Sequence, residues 1–257
     1  MDRSPQERSA AGAFRALVLD VKTGSGAFMK KEEDSVHLAE LMVETGQRVG
    51  KKVVALITDM DQPLGRMAGH SLEVIESIEV LDGGGAADLR DLSVELSAWM
   101  FYLGERTKSV EEGRKLAEVM IASGKAKARF REAVKLQGGH VRVVDDPSQF
   151  QRAEHVIDVK SAASGFVTSM QCEQLGIAMA ILGGGREKKE DSIDHCVGLV
   201  FHKKTGERVE KGEPLATIHY NDARRFEEAK RMVEGSYRIE AEAPREKRPL
   251  VRKIIGA

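Results

Sequence analysis

Two short apolar runs restrict this chain more than any other feature. "RALVLDV" starts at Arg15 and "KKVVALITDMD" starts at Lys51. Both are brief and rich in β-branched residues, so each reads as a buried strand, the second over Val53 to Thr58. Between them Val36, Leu38, Ala39, Leu41, Met42 and Val43 form a helical stripe within Glu32 to Val49, and Gly46 and Gly50 punctuate its end. Strand, helix, strand at this spacing is a βαβ unit of a parallel sheet.

Helical signals follow. "HSLEVIESIEVL" ends at the glycines of residues 82–85, and Asp88–Leu103 carries Trp99, the single tryptophan. A helix over Ser109–Ala122 takes Ser109 or Thr107 as its N-cap, and Lys125–Leu136 stops at Gly138 and Gly139. After about residue 153 the texture changes to short alternating runs, "HVIDV", "GFVTSM", "CVGLVFH" and "PLATIHY", with one helix around "EQLGIAMAIL". A helix capped by Asn221 or Asp222 is expected over "NDARRFEEAKRMVEGSYRI", and a last strand in "LVRKIIG". "TGERVEKGEPLATI" resembles half of a lipoyl or biotinyl barrel, but no Met-Lys-Met carrier turn accompanies it, which leaves a structural barrel.

Composition narrows the function classes. The 257 residues hold 40 basic and 41 acidic side chains, a net charge of −1, with the signs interleaved as in "EEGRKLAE". That is a pattern of solvated helix faces, and it argues against a nucleic-acid partner. No apolar run reaches the roughly 18 residues of a membrane span, so no membrane partner is expected. The polar start lacks the apolar core of a signal peptide. Cys172 and Cys196 form no CxxC pair and have no evident activating partner, so both read as structural and a reducing, cytoplasmic setting fits. Residues 1–13 read as irregular.

In a parallel sheet, ligands bind beyond the carboxyl ends of the strands. Two loops leave such ends here: "KTGSGAF" and "DMDQPLG". Glycines permit close approach of backbone to ligand, yet "GSG" is neither GxGxxG nor a Walker motif, so a ligand loop and a plain turn both remain open. Asp59 and Asp61 fit a metal pair or a general base, but turn capping is favoured. Glu73 and Glu76, at i and i+3, either reach a loop cation or face solvent. The seven histidines form no metal motif.

Taken together, "LVLDVKTGSGAFMK", "ITDMDQPLGRMAGHSLEVIESIEVLDG", "VDDPS", "LGGGR", "DSIDHCVGL" and "GERVEKGEPLATIH" resemble the thymidine and pyrimidine-nucleoside phosphorylases, in the family's order and from about Ala16 onward. The resemblance implies part of a parallel α/β phosphorylase domain with connecting helices over 1–150. A C-terminal α+β domain with a barrel-like β part would occupy 151–257. It implies a pentosyltransferase that works by reversible phosphorolysis. Phosphate is co-substrate, attacks C1′ of a pyrimidine nucleoside, and releases base and pentose 1-phosphate; members are usually homodimers. It places Gly24, Ser25, Gly26 and Phe28 beside the base, Phe28 packing on the pyrimidine. It places a potassium ion on the carbonyls of Leu64 and Met67 and the carboxylate of Glu76, hard oxygen ligands suited to such a cation. Because the ligands are carbonyls, Met67 in place of a smaller residue changes little. His70 replaces the Asn of many members. No organic cofactor is implied.

Two family segments have no counterpart in this sequence: the Lys-His-Ser phosphate loop and the Tyr-x-x-Arg-Asp segment whose arginine holds the base. No catalytic residue is therefore assigned, and a truncated gene product, with exposed sheet edge and self-association, is expected. A gapless alignment puts Ser4 and Arg8 on the family's Ser-x-x-x-Lys positions, although Pro5 and the polar surroundings depart from that helix and Arg does not replace Lys as a close donor. The alternative is a catalytically inactive fragment or interaction module.

Overall fold

A computed structural model of the chain describes residues 15–186, 188–245 and 248–256. Strands β1 (Ala16–Thr23) and β2 (Lys52–Asp59) pair in parallel, Ala16 opposite Lys52 and Thr23 opposite Asp59. Helix α1 (Glu32–Arg48) makes the crossover. Its first turn carries Glu32, Glu33 and Asp34, acids that suit the positive end of a helix dipole.

Six consecutive residues of β2, from Val53 to Thr58, are buried, as a strand covered on both faces requires. Side chains alternate between faces along a strand. Val53, Ala55 and Ile57 therefore pack on Ala39 and Val43 of α1. Val54 and Leu56 pack on Trp99 of α3 (Ala87–Leu103). The single tryptophan closes the second face of the sheet.

Helix α2 (His70–Leu81) precedes α3, and α4 (Val110–Ala122), α5 (Lys125–Leu136) and the single turn α6 (Arg142–Asp145) follow. Of the two proposed caps for α4, Ser109 is the one used. Its side chain accepts the Glu112 N–H at 3.2 Å, and the Glu112 carboxylate accepts the Lys108 N–H at 2.8 Å. The first bond satisfies a donor that the helix itself leaves open, and the second ties the residue before the cap to the first turn.

The later residues build two antiparallel sheets. In the first, β3 (Met67–Ala68), β6 (Gly198–Phe201), β8 (Pro214–Tyr220) and β4 (His155–Lys160) lie in that order. In the second, β5 (Gly165–Met170) lies between β7 (Arg208–Val209) and β9 (Tyr237–Glu240). Val159, Val167, Leu199, Phe201 and Ile218 share one core with Leu175 and Ala178 of α7 (Cys172–Met179) and Ala229 and Val233 of α8 (Phe226–Gly235). The whole is mixed α/β, and among the described residues no sheet closes into a barrel.

The chain differs from the sequence reading in four places. The last helix begins at Phe226, not at Asn221 or Asp222. Asn221 instead accepts the Glu154 N–H at 2.7 Å and donates to Asp194 at 2.6 Å, and Asp222 binds the backbone and side chain of Arg224. The residues after Gly235, expected to continue that helix, turn into β9 and pair with β5. The last strand, β10 (Val251–Ile255), joins the first sheet, antiparallel to β2 with Ile255 opposite Ala55. Conversely β3, inside the loop after β2, pairs with β6 of the later sheet. Each half of the sequence thus lends one strand to the other. Among the described residues no helix is long and apolar enough to cross a membrane.

Candidate functional site

The carboxyl ends of β1 and β2 open onto two loops of different construction. The first runs from Gly24 to Lys31. Gly24 has φ +122°, and a Cβ there would lie 2.7 Å from Asp61 Oδ1. Only glycine tolerates both the angle and the approach. The approach has a use, because Asp61 Oδ1 accepts the Ser25 N–H at 2.8 Å. Gly26 donates to the Met60 carbonyl at 2.9 Å, and a Cβ on Gly26 would lie 2.7 Å from Cys172 Sγ. Ser25 Oγ accepts the Cys172 N–H at 3.3 Å, and Lys30 Nζ donates to the Ser25 carbonyl at 2.7 Å. The loop is therefore a tight, bonded turn whose tip lifts Phe28 into solvent at 95% exposure.

Cys172 forms one wall of this turn. Burial pushes its thiol up to about 11, and the carboxylates of Asp59 and Asp61 add to the shift, so it stays protonated and unreactive near neutrality. Asp59 and Asp61 are a charge-paired cap. Arg252 of β10 pairs with Asp59 and with Asp61, and Arg248 pairs with Asp61. Asp61 meets not a donor of its own turn, the reading favoured from sequence, but the Ser25 N–H of the other loop, and arginines from the end of the chain pair with it. Among the described residues no three His, Cys, Asp or Glu side chains converge as a metal-binding group.

The second loop, residues 62–67, is built around Glu76. This side chain on α2 is buried, contrary to the solvent-facing alternative. Its Oε1 accepts the Arg66 N–H at 2.5 Å and its Oε2 accepts the Met67 N–H at 3.3 Å. Burial raises its pKa above the ordinary 4.5, and the two backbone donors oppose that shift. Glu73, four residues after Gly69, accepts the Gly69 N–H at 3.0 Å and so caps the helix start. Pairing of β3 with β6 fixes the direction of Met67. Phe201 N donates to the Arg66 carbonyl at 2.7 Å, and Met67 lies opposite Val200. In an antiparallel pair, hydrogen-bonded and non-bonded positions alternate. The Met67 N–H, like that of Arg66, turns away from β6 to Glu76. Leu64 lies half-buried in the same loop.

Charged groups from the later sheet close this loop from behind. Buried Lys204 donates to the Gly65 carbonyl at 2.9 Å and pairs with Asp88. Arg66 pairs with Glu207, which raises the pKa of the arginine; the Glu207 carboxyl is lowered despite its burial. Thr205 N donates to Gln62 Oε1 at 3.1 Å. His70 opens α2 with its Nε2 3.0 Å from the Gly184 carbonyl and its ring edge-on to His195, centroids 4.8 Å apart.

The structure thus brings Gly24, Ser25 and Gly26 together with Asp61 and Cys172, and Met67 with Glu76; Leu64 lies in the same loop. Phe28 stands alone at its tip. Ser4 and Arg8 lie outside the described residues. Arg248, Arg252, Lys204 and Glu207 were missed from sequence. Their partners lie more than a hundred residues away, and no local spacing announces such pairs.

Comparison with known proteins decides the family. Residues 6–127 match the model of the glycosyl transferase family a/b domain, and residues 166–240 match that of the pyrimidine nucleoside phosphorylase C-terminal domain. Pyrimidine-nucleoside phosphorylase of Bacillus subtilis (strain 168) is 44% identical over 237 residues, covering 92% of this chain and 54% of that relative. The protein of the same name from Staphylococcus aureus (strain USA300) is 46% identical over 215 residues, 84% of this chain and 49% of that relative. Over most of its own length this chain matches the pyrimidine-nucleoside phosphorylase family. It spans about half the length of the curated relatives it matches. Both loops described above fall within the residues matched by the glycosyl transferase family a/b domain.

Proposed function

We propose that this chain carries the base-side part of a pyrimidine-nucleoside phosphorylase, a pentosyltransferase that splits pyrimidine nucleosides with inorganic phosphate. The observation that carries the reading is the tight Gly24–Lys31 turn at the strand ends, which holds the Phe28 ring 95% exposed. An exposed aromatic ring on an otherwise bonded turn is a stacking surface, and a pyrimidine is a matching flat partner.

In the reaction, a phosphate oxygen forms a bond to C1′ while the bond from C1′ to the base nitrogen breaks. The base leaves with the electron pair and takes up a proton; the pentose keeps the phosphate. Positive charge grows on the sugar ring and negative charge on the base, so orientation and electrostatics supply most of the catalysis. The turn would orient the base. Its Ser25 and Gly26 amides are held by Asp61 and Met60, so the part of the chain assigned here is a rigid platform and not a proton donor.

Potassium belongs to the same reading. The carbonyls of Leu64 and Met67 and the Glu76 carboxylate are hard oxygen donors. The buried Glu76, raised by that burial, suits a cation there: a cation would offset the cost of holding the carboxylate charged out of water. Bound, it would fix the 62–67 loop. The 1–150 and 151–257 division, barrel-like packing of the two later sheets, homodimerisation and a cytoplasmic setting complete the proposal.

The test is release of thymine or uracil from thymidine or uridine. It is run with the 257-residue chain alone and with the unmatched N-terminal part of the Bacillus subtilis relative added in trans. Release that requires both phosphate and pyrimidine is expected in the mixture. Release without phosphate, or equal release from purine nucleosides, contradicts the proposal.

A further inference from the structure

The loop that carries Phe28 is held from a part of the chain that neither strand of its βαβ unit supplies. Arg252 lies on β10 with its side chain only 15% exposed. One of its terminal nitrogens donates to Glu32 Oε2 at 3.0 Å. The other pairs with Asp59 and lies 3.2 Å from Asp61 Oδ2. Arg248 adds a second contact to the same Asp61 oxygen. The remaining Asp61 oxygen, Oδ1, takes the Ser25 N–H.

The positions of these carboxylates matter. Asp61 reaches the loop where it leaves β1, at Gly24 and Ser25. Glu32 is the first residue of α1, where the loop ends. One guanidinium therefore reaches the start of the Gly24–Lys31 turn through Asp61, and it meets directly both Glu32, the residue that follows the turn, and Asp59 at the end of β2. A planar fork with five donors can hold three carboxylates at once; a lysine ammonium offers one point charge. The bonds are charge-assisted, and those to Asp59 and Asp61 are partly buried.

We infer that Arg252 is a positioning residue: through Asp61 and Glu32 its guanidinium fork fixes both ends of the Gly24–Lys31 turn and so sets where Phe28 is presented. The link to a pyrimidine rests on the proposed function. The link between β10 and the loop does not.

Amide hydrogen exchange separates the two. It is measured on the full chain for wild type, Arg252→Gln and Arg252→Lys. Losing one charge-assisted hydrogen bond raises local opening about tenfold. That increase is expected at the Ser25, Gly26 and Ala27 amides of Arg252→Gln, with Arg252→Lys intermediate and the β2 amides of Val54 to Ile57 still protected. A folded Arg252→Gln with unchanged loop exchange overturns the inference, and so does Arg252→Lys indistinguishable from wild type. Should Arg252→Gln fail to fold, Glu32→Gln breaks the link at the other end of the loop without removing the Ser25 acceptor. Faster exchange at the three loop amides supports the inference, and unchanged exchange overturns it. Thymidine titration is the second arm. A loop loosened by Arg252→Gln in a chain that binds no thymidine supports the positioning role and removes the base-binding reading. Thymidine binding with unchanged loop exchange does the reverse.

Discussion

The loops after β1 and β2 leave the same edge of the same sheet and are built in opposite ways. The first is a surface turn, tied by Asp61, Met60 and Cys172 at its base, that ends in an exposed ring. The second is an internal joint, with Glu76 buried beneath it and Lys204, Thr205 and Glu207 closing over it. The difference teaches how one sheet can both present a ligand surface and fasten a second set of sheets. Exposure serves the first task, buried polar satisfaction the second. Changes in the joint should therefore be read in stability, and changes at the tip in binding.

The largest effect is expected from Glu76→Ala. It removes the acceptor for the Arg66 and Met67 N–H groups, and two buried donors left open cost about 2–4 kcal/mol. Urea unfolding checks this; a loss below about 1 kcal/mol would dissolve the contrast between the loops. Next comes Gly26→Ala, whose Cβ would lie 2.7 Å from Cys172 Sγ. Overpacking of this kind costs about 1–3 kcal/mol, and the loss should appear in the same unfolding curves.

A cation sharpens the comparison further. Potassium at ten times its dissociation constant should stabilise the protein by about 1.4 kcal/mol, and Glu76→Gln should abolish the gain. Equal stabilisation of wild type and variant in thermal melts would remove the cation from the joint.

The joint should also show two opposing pH dependences. Glu76 has a raised pKa in the folded protein, so its contribution is greatest below the ordinary 4.5 and is lost as pH rises through the raised value. Glu207 has a lowered one, so its contribution is present above 4.5 and is lost as pH falls through the lowered value. Glu207→Gln should thus cost more stability at neutral pH than in acid, and Glu76→Gln less. Chemical unfolding at both pH values checks the signs; parallel behaviour of the two variants would contradict them.

The smallest stability effect belongs to Phe28→Ala. The ring is 95% exposed, and such surface changes stay within about 0.5 kcal/mol.

Much of this contrast was legible in the residues. The apolar run Val53–Thr58 reads as a strand covered on two faces because six successive positions need burial. The stripe from Val36 to Val43 reads as the helix that covers one of them. Glycines at 24 and 26 announced a close approach, and Asp61 and Cys172 prove to be what comes close. What escaped was long-range. The two residues of β3 sit inside a glycine-bearing loop, too short for any alternation to show. Tyr237 lies four residues after Val233 and continues the helical stripe by sequence, yet it pairs with β5 as the first residue of β9. Nothing near Val251 says that it pairs with Thr58, or that Arg252 will meet Asp59. The burial of Glu76 depends on donors from a neighbouring loop, and its spacing from Glu73 carries no sign of that.

The most direct test of the base-side assignment is calorimetric titration of thymidine and uridine into wild type and Phe28→Ala. Stacking on an aromatic ring contributes about 1–3 kcal/mol per base, so a loss of about tenfold or more in affinity is expected, with the unfolding midpoint unchanged. Equal affinity in the two proteins would contradict it and return the Gly24–Lys31 turn to a plain structural corner.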